Sequence, residues 1–189
     1  MTTAHRVRPR FSYADYLVFE ADSGTKHEFV DGDIIAMAGG SFRHSALASR
    51  ISAALEAGRG PGCIAFQSDL RIRVLATGRA AYPDAGVVCG PAELDPADTN
   101  GHTITNPTLI VEVLSPSTEE YDRTEKWADY QQISSLQEFV LVSQSRQRVE
   151  TYRRLASGAW EYRDTREGTL TLSTGATLDL ARLYADLPP

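Results

Sequence analysis

The stretch TLIVEVLSPS, residues 108–117, determines how the rest of the chain is interpreted. It has the composition of a buried strand in which one carboxylate, Glu112, stands among aliphatic side chains. An ionised group in such a strand loses several kcal/mol of hydration (roughly) unless a cation, a hydrogen-bond network or an open strand end compensates it. The segment therefore predicts a central strand and raises the question of what compensates its charge. The aliphatic residues are Leu109, Ile110, Val111, Val113 and Leu114.

A second acid in an apolar setting occurs in AAYPDAGVV, residues 80–88, where Asp84 follows Pro83 and precedes a run of small and aliphatic residues. If the two strands are neighbours, Asp84 and Glu112 lie side by side. Adjacent carboxylates repel each other unless a proton or a cation lies between them, and a hard divalent cation with oxygen ligands is the usual solution. The pair therefore predicts a site for Mg²⁺ or Mn²⁺.

The segment after this strand contributes a cation. Asp122 and Lys126 are four residues apart, so on a helix they share a face with Tyr130 and Ile133. From that helix Lys126 can reach back over the end of the Glu112 strand, where an ammonium could orient a metal-bound water and stabilise charge on an attacked phosphate. The alternative is an i,i+4 salt bridge between Lys126 and Asp122 on a solvated face.

Length and composition favour one globular domain covering residues 1–189. The net charge of -6 gives no general attraction to nucleic acid, although a local basic groove could still provide one. No apolar run approaches the ~20 residues that span a bilayer, and the N-terminus has no apolar signal-like core, so we expect a cytoplasmic protein without membrane contact. Cys63 and Cys89 lack metal-ligand spacing and are interpreted as buried thiols, in preference to a disulfide or a zinc site.

Local patterns predict the α/β class, with a mixed central β-sheet flanked by helices. Ser12 with Asp15 indicates a capped helix at about 13–21, Asp31-Gly32 a hairpin turn, and Ser41 the cap of a second helix. Ser117 with Glu120 indicates another capped helix, reaching to about residue 133, and Asp179 a short terminal helix. Strands are predicted in CIAFQSDLRIRVL, AAYPDAGVVCG, TLIVEVL, EFVLVSQ, RVETYRR, AWEYRDT and TLTLSTG.

Several motifs together resemble the Uma-two family of restriction-endonuclease-like proteins, a branch of the PD-(D/E)XK nuclease superfamily. They are YADY, HEFVDGDII, RHSALASRI, YPDAGVV, PTLIVEVLSPSTEEYDRTEKWADY and EFVLV. The resemblance implies a restriction-endonuclease-like single domain in which Asp84 and Glu112 bind the metal. The superfamily's usual lysine, two residues after the second acid, would fall on Leu114 and is absent. The resemblance implies that Lys126 replaces it from the following helix.

Two further positions match the family pattern. Glu28, before the Asp31-Gly32 turn, is interpreted as an extra acid near the metal, or else as a cross-strand salt-bridge partner. His44 is interpreted as contacting phosphate or orienting Glu28, or else as making a structural hydrogen bond at the start of its helix. Asp122 is a third accessory candidate, through its spacing to Lys126.

Arginines near these motifs could form a basic patch for DNA, although alternating arginines are also typical of a solvated strand face. The candidates near the acids are Arg43, Arg50, Arg71, Arg73 and Arg79, and a second cluster is Arg146, Arg148, Arg153 and Arg154.

The residues predict a hydrolase, a Mg²⁺- or Mn²⁺-dependent phosphodiesterase with Asp84, Glu112 and Lys126 as its catalytic residues. The superfamily resemblance implies that it is an endonuclease acting on DNA. The alternative is a catalytically inactive module of the same fold that binds nucleic acid or protein. The resemblance also implies a symmetric homodimer, for which Tyr152, Trp160 and Tyr162 on the later strands offer aromatic surface.

Overall fold

A six-stranded mixed sheet lies at the centre of the computed structural model, which describes residues 10–188. The ends of the predicted 1–189 domain lie outside those residues. The helical elements are α1 (Tyr13–Asp22), α2 (Phe42–Gly58), α3 (Glu119–Tyr121), a π-helical turn (Asp122–Lys126), α4 (Trp127–Tyr130) and α5 (Leu180–Tyr184). The strands are β1 (His27–Val30), β2 (Asp33–Ala36), β3 (Cys63–Gln67), β4 (Arg71–Arg73), β5 (Ala80–Ala81), β6 (Ala85–Cys89), β7 (Thr103–Ile104), β8 (Leu109–Leu114), β9 (Glu138–Ser143), β10 (Val149–Arg154), β11 (Trp160–Thr165), β12 (Thr169–Thr171) and β13 (Thr177–Asp179).

The central sheet has the strand order β11-β10-β9-β8-β6-β3, with β8 and β9 parallel and the other neighbours antiparallel. All six residues of β8 are buried, as the opening stretch predicted. Helix α2 packs on one face through Leu47, Ile51 and Leu55, while Tyr130 and Phe139 belong to the core on the other. Burial on both faces explains why β8 is continuously apolar instead of alternating.

The prediction of two long strands around residues 63–90 is wrong in one respect, because each is divided between two sheets. β3 pairs with β6 in the central sheet, whereas β4 pairs with β5 in a smaller sheet of order β2-β1-β5-β4-β7. The second strand divides at Tyr82-Pro83-Asp84, where proline lacks the N–H that a continuous ladder needs. This interruption places Asp84 at the junction of the two sheets.

The β1–β2 hairpin brings Glu28 of the smaller sheet towards that junction. Its turn residues Asp31 and Gly32 have φ values of 49° and 85°, the left-handed conformation that an Asp-Gly turn requires. The hairpin prediction is therefore confirmed.

Three predicted helix caps are confirmed and one is wrong. Ser12 and Asp15 form a reciprocal capping box, and the side chains of Ser41 and Asp179 accept hydrogen bonds from backbone N–H groups of α2 and α5. The Ser117–Glu120 box does not form, because the helical segment begins after Thr118, whose side chain makes no capping bond. Strand β13 was not predicted, and neither was β7, which lies in a segment expected to be a loop.

Cys63 and Cys89 form a disulfide, so the prediction of free thiols is wrong. The two residues are direct register partners on β3 and β6, an adjacency that sequence separation alone does not reveal. Among the described residues, no helix combines the length and apolar character needed to cross a membrane.

Reduction of the Cys63–Cys89 bond is expected to lower the free energy of unfolding by about 3 kcal/mol, since the bond joins residues 26 apart and restricts the unfolded chain. Urea titrations with and without reductant, repeated on a Cys63→Ala/Cys89→Ala variant, measure the loss. An unchanged unfolding midpoint after verified reduction would contradict it.

Candidate functional site

All six residues predicted for the site line one cavity of about 600 Å³ at the junction of the two sheets. They come from five different parts of the chain, and only the fold brings them close together. The cavity also contains the loop from Met37 to Gly40 on one wall and Ser115 to Thr118 on another. The six predicted residues are Glu28, His44, Asp84, Glu112, Asp122 and Lys126.

The two predicted metal ligands lie on adjacent strands, which confirms that structural prediction. Ala85 of β6 is the register partner of Val111 of β8. Because the two strands are antiparallel, the next positions, Asp84 and Glu112, lie opposite each other. The carboxylate of Asp84 accepts the backbone N–H of Val113 at 2.7 Å. Both side chains face the same cavity. Their role as metal ligands stays a prediction.

Lys126 lies among three carboxylates. Its Nζ is 2.8 Å from Glu28 Oε1, 3.1 Å from Asp122 Oδ1 and 3.3 Å from Glu112 Oε1. The salt bridge with Asp122 is therefore present, but its location on a solvated face is wrong, since both side chains are buried. Lys126 is also one of only two lysines in the chain, the other being Lys26.

The surroundings of Glu112 and Lys126 couple their ionisation. Burial raises the pKa of Glu112 well above its usual value, and the charges of Asp122, Asp84 and Glu28 add to that rise, whereas Lys126 opposes it. Burial alone would lower the pKa of Lys126, but the nearby carboxylates, Glu112 first, raise it well above its usual value. Lys126 is consequently a cation at neutral pH.

Glu28 and His44 are in the cavity, but in different relations from those predicted. Glu28 contacts Lys126 and accepts a hydrogen bond from Tyr121 Oη at 3.2 Å. Its partner across the β1–β2 hairpin is Ile35, so no salt bridge forms there. On the other side of β1, however, Glu28 Oε2 lies 3.9 Å from Nη1 of Arg79, which adjoins β5, so the salt-bridge alternative is confirmed with that partner. His44 Nε2 lies 3.3 Å from Asp84 Oδ2, so His44 orients Asp84 and not Glu28. Hydrogen bonding to Asp84 raises the pKa of His44 despite its burial.

The arginines predicted as a basic patch near the acids are used inside the protein. Arg71 pairs with Asp98 at 2.8 Å, Arg73 with Asp95 at 3.2 Å, and the buried Arg79 with Asp129. Arg43 and Arg50 donate to backbone carbonyls near the C-terminal end of the described chain and, for Arg43, to Gln144. The interpretation of these five residues as a patch free to bind phosphate is therefore wrong.

The later arginine cluster is also largely engaged. Arg148 pairs with Glu150 and Asp164, Arg153 with Glu138, and Arg154 donates to the carbonyls of residues 131 and 133. These contacts favour the strand-face alternative over a free basic patch, with the difference that Arg148, Arg153 and Arg154 have protein partners and are not simply solvated.

Sequence reasoning missed two contacts that complete the site. Tyr130 Oη donates to Glu112 Oε1 at 2.9 Å, and Arg79 hydrogen-bonds the Tyr121 hydroxyl that reaches Glu28. For Tyr130, the signal was available in its spacing of four and eight residues from Lys126 and Asp122. Nothing in the sequence distinguishes Arg79 from the other arginines.

The donor set fits a hard divalent cation with few protein ligands. Four carboxylates share a cavity with one ammonium, and the buried atoms Glu28 Oε1 and Asp122 Oδ1 accept no hydrogen bond of good geometry although both lie near Lys126. Within residues 10–188, no group of three or more His, Cys, Asp or Glu side chains has the arrangement of a metal-ligand cluster. Two carboxylates with water completing the coordination is the pattern that Mg²⁺ tolerates.

Comparison with known proteins agrees with the resemblance seen in the motifs. Residues 13–184 match the Uma2 family, described as "Putative restriction endonuclease". The uncharacterized protein slr1290 of Synechocystis sp. is 39% identical over 157 residues, covering 80% of this chain and 78% of that protein. Another Synechocystis protein, the uncharacterized sll1609, is 34% identical over 148 residues, covering 78% of this chain and 82% of that protein.

The fold and the site define a restriction-endonuclease-like domain, and the chain belongs to the Uma2 family. The fold is also that of a crystal structure described as "a putative nuclease belonging to DUF820" from Anabaena variabilis ATCC 29413. The two superpose with a TM-score of 0.71 at 20% identity, covering 91% of this chain and 97% of the other. The predicted fold class is therefore confirmed.

Proposed function

We propose that this protein is a metal-dependent endonuclease that hydrolyses DNA phosphodiester bonds by a PD-(D/E)XK-type mechanism. The observation that carries the proposal is the meeting of Asp84 and Glu112, from adjacent strands, with Lys126 in one cavity. Phosphodiester hydrolysis of this kind requires a bound cation and a donor that stabilises the developing negative charge. The acid pair can bind the cation, and the buried ammonium can be the donor.

Each residue has a separate role in the proposal. Asp84 and Glu112 would hold Mg²⁺ or Mn²⁺, and Lys126 donates to the attacking water or to a non-bridging oxygen of the scissile phosphate. His44 holds Asp84, while Glu28 and Asp122 hold the ammonium of Lys126. When bound, the divalent cation supplies Lewis-acid polarisation of the phosphate and lowers the pKa of a coordinated water.

The internal use of the arginines bears on how DNA is held. Non-specific DNA affinity normally comes from free basic side chains that displace counterions. The arginines near this cavity already have carboxylate or carbonyl partners, so we infer that DNA binding depends mainly on the metal and only weakly on arginine contacts. Binding should then respond strongly to metal and less steeply to salt than that of a protein with an arginine-lined groove.

A homodimer is part of the proposal, with β11 as its contact. β11 is an edge strand of the central sheet, and Tyr162 on it is 48% exposed, whereas Trp160 and Tyr152 pack with Trp127. Antiparallel pairing of two copies centred on Tyr162 would place Glu161 of each opposite Arg163 of the other, a favourable charge pairing. Opposite charges in this register support a second copy as the occupant of the edge.

The dimer is expected to be lost when Arg163 is replaced by glutamate, because the same register would then bring like charges together. Light scattering at micromolar concentration distinguishes a 20.7 kDa monomer from a dimer of twice that mass. An Arg182→Glu variant, changed in α5 away from this edge, is the control. A wild-type monomer would contradict the proposed contact.

We also infer a cytoplasmic location. The Cys63–Cys89 disulfide bears directly on this inference, because disulfides are rare in that compartment, where thiol systems keep cysteines reduced; a cytoplasmic protein is expected to carry this pair as thiols in the cell. Trapping thiols by alkylation during cell lysis, followed by mass spectrometry of Cys63 and Cys89, tests the inference. A fully oxidised pair would argue against it.

The proposed activity is tested by incubating single- and double-stranded DNA with the purified protein and Mn²⁺ or Mg²⁺, alongside thermal shifts with each metal alone. We expect cleavage that chelation abolishes and a rise in melting temperature, since a ligand that binds only the folded state stabilises it by mass action. Absence of cleavage by a folded wild type on every nucleic acid tested would favour the non-catalytic binding module.

A further inference from the structure

Tyr130 does not line the cavity, but it contacts the predicted metal ligand Glu112, which does. Its side chain is fully buried, and its ring packs edge-on against Phe139 with centroids 5.4 Å apart. Its hydroxyl donates to Glu112 Oε1 at 2.9 Å. This is the atom that Lys126 also approaches, at 3.3 Å.

The π-helical turn keeps Asp122, Lys126 and Tyr130 on one face of the helical segment. In an α-helix with 3.6 residues per turn, each step of four residues advances about 40° beyond a full turn, so positions i and i+8 drift apart around the axis. A π turn contains more residues per turn and offsets this advance. The turn at Asp122–Lys126 is followed directly by α4, and Asp122, Lys126 and Tyr130 are all buried. Lys126 and Tyr130 both contact Glu112, and Asp122 contacts Lys126.

Two donors on Oε1 fix the direction of the Glu112 carboxylate. Rotation about its terminal bond would break both hydrogen bonds, so the second oxygen, Oε2, is held in one orientation. Groups that hold a ligand in this way commonly affect metal affinity 10- to 100-fold (roughly) without touching the metal.

We propose that Tyr130 is a positioning residue that orients Glu112 for metal binding, with the π-helical turn placing Tyr130 and Lys126 on the same carboxylate oxygen. This proposal rests on the metal-binding role of Glu112 in the proposed function. A tyrosine that served only the core would need only its ring. Tyr130 also donates its hydroxyl to the predicted ligand Glu112, which a purely structural role does not require.

The test is Tyr130→Phe, which keeps the ring and removes the hydroxyl. Titration of Mn²⁺ without DNA, followed calorimetrically, is expected to show an affinity about 10- to 100-fold weaker than that of the wild type. The matched control is Tyr13→Phe, which removes a hydroxyl that donates to the buried carboxylate of Asp95 at 2.8 Å, outside the cavity. This control should bind Mn²⁺ as the wild type does.

The outcomes separate this proposal from the nuclease function. Equal Mn²⁺ affinity in wild type and Tyr130→Phe, with or without a loss of stability, would overturn the positioning role. A wild type that binds Mn²⁺ and does not cleave DNA would overturn the nuclease function, while weaker binding by Tyr130→Phe would still support positioning. A wild type that does not bind Mn²⁺ at all would overturn both.

Discussion

Replacing Glu112 by glutamine is expected to abolish metal-dependent DNA cleavage while the protein stays folded. The amide keeps an oxygen that can accept from Tyr130 and Lys126, so the hydrogen bonds at 2.9 and 3.3 Å can persist. The negative charge that a divalent cation requires is lost. We expect a rate decrease of at least ~10²- to 10³-fold, the usual effect of losing one strong electrostatic interaction at a reacting centre.

The stability of the Glu112→Gln variant shows whether Glu112 serves the site or the stability of the fold. Burial raises the pKa of Glu112 well above its usual value, so the ionised carboxylate reduces the free energy of unfolding at neutral pH. The neutral amide avoids that penalty, and Lys126 keeps Glu28 and Asp122 as partners. In chelator, the melting temperature of the variant should equal or exceed that of the wild type.

A matched control for Glu112→Gln is Glu138→Gln on the neighbouring strand. Glu138 is also fully buried and pairs with Arg153 at 2.8 Å, but it lies opposite Leu109, at the other end of β8. Its replacement should lower stability and leave cleavage unchanged. A Glu112→Gln protein that still cleaves and still responds to metal would contradict the assigned role.

The strand carrying Glu112 was predictable because its information is local. An uninterrupted apolar run signals burial on both faces, and the hairpin turn and three caps depend on residues within a few positions of each other. Division of the 63–90 region between two sheets was not predictable in the same way. Pro83 marked a break in pairing, but which strand each half would join depends on partners such as β1 and β8, distant in sequence.

The candidate site shows the same division between local and distant information. The spacing of Asp122, Lys126 and Tyr130 suggested a shared face, but nothing in that spacing indicates the π-helical turn over Asp122–Lys126. The arginines illustrate the limit of charge patterns, since Arg71 and Arg79 are buried in ion pairs whose partners, Asp98 and Asp129, are 27 and 50 residues away. The Cys63–Cys89 bond likewise required the register of β3 on β6.

Scarcity of lysine was an additional signal for Lys126. A chain that has arginine at nearly all of its basic positions and lysine at two has little use for lysine as a general surface charge. Lys26 pairs with Asp69 at the surface, whereas Lys126 is buried among acids. An ammonium is compact and has three rotatable donors, which suits contact with several oxygens in a confined space better than a planar guanidinium does.

Replacing Lys126 by methionine is expected to remove most cleavage activity, by about 10²- to 10³-fold, and to preserve Mn²⁺ binding, because acids and not the ammonium hold the metal. Burial of Lys126 adds a stability effect that a solvated salt bridge would not have. Loss of the ammonium removes the salt-bridge partner of Asp122 and leaves Glu28 with only the longer contact to Arg79 at 3.9 Å, and breaking a buried pair in this way costs roughly 3–5 kcal/mol. Cleavage is therefore measured at a temperature well below the melting point of the variant.

The control for Lys126→Met is the same change at the other lysine. Lys26→Met breaks an exposed contact with Asp69 and should alter stability by less than about 1 kcal/mol and leave cleavage unchanged. Mn²⁺ titration of both variants shows whether the metal site survives. Near-normal cleavage by folded Lys126→Met would show that Lys126 only neutralises buried acids, whereas loss of cleavage with intact Mn²⁺ binding would place the ammonium in the reaction.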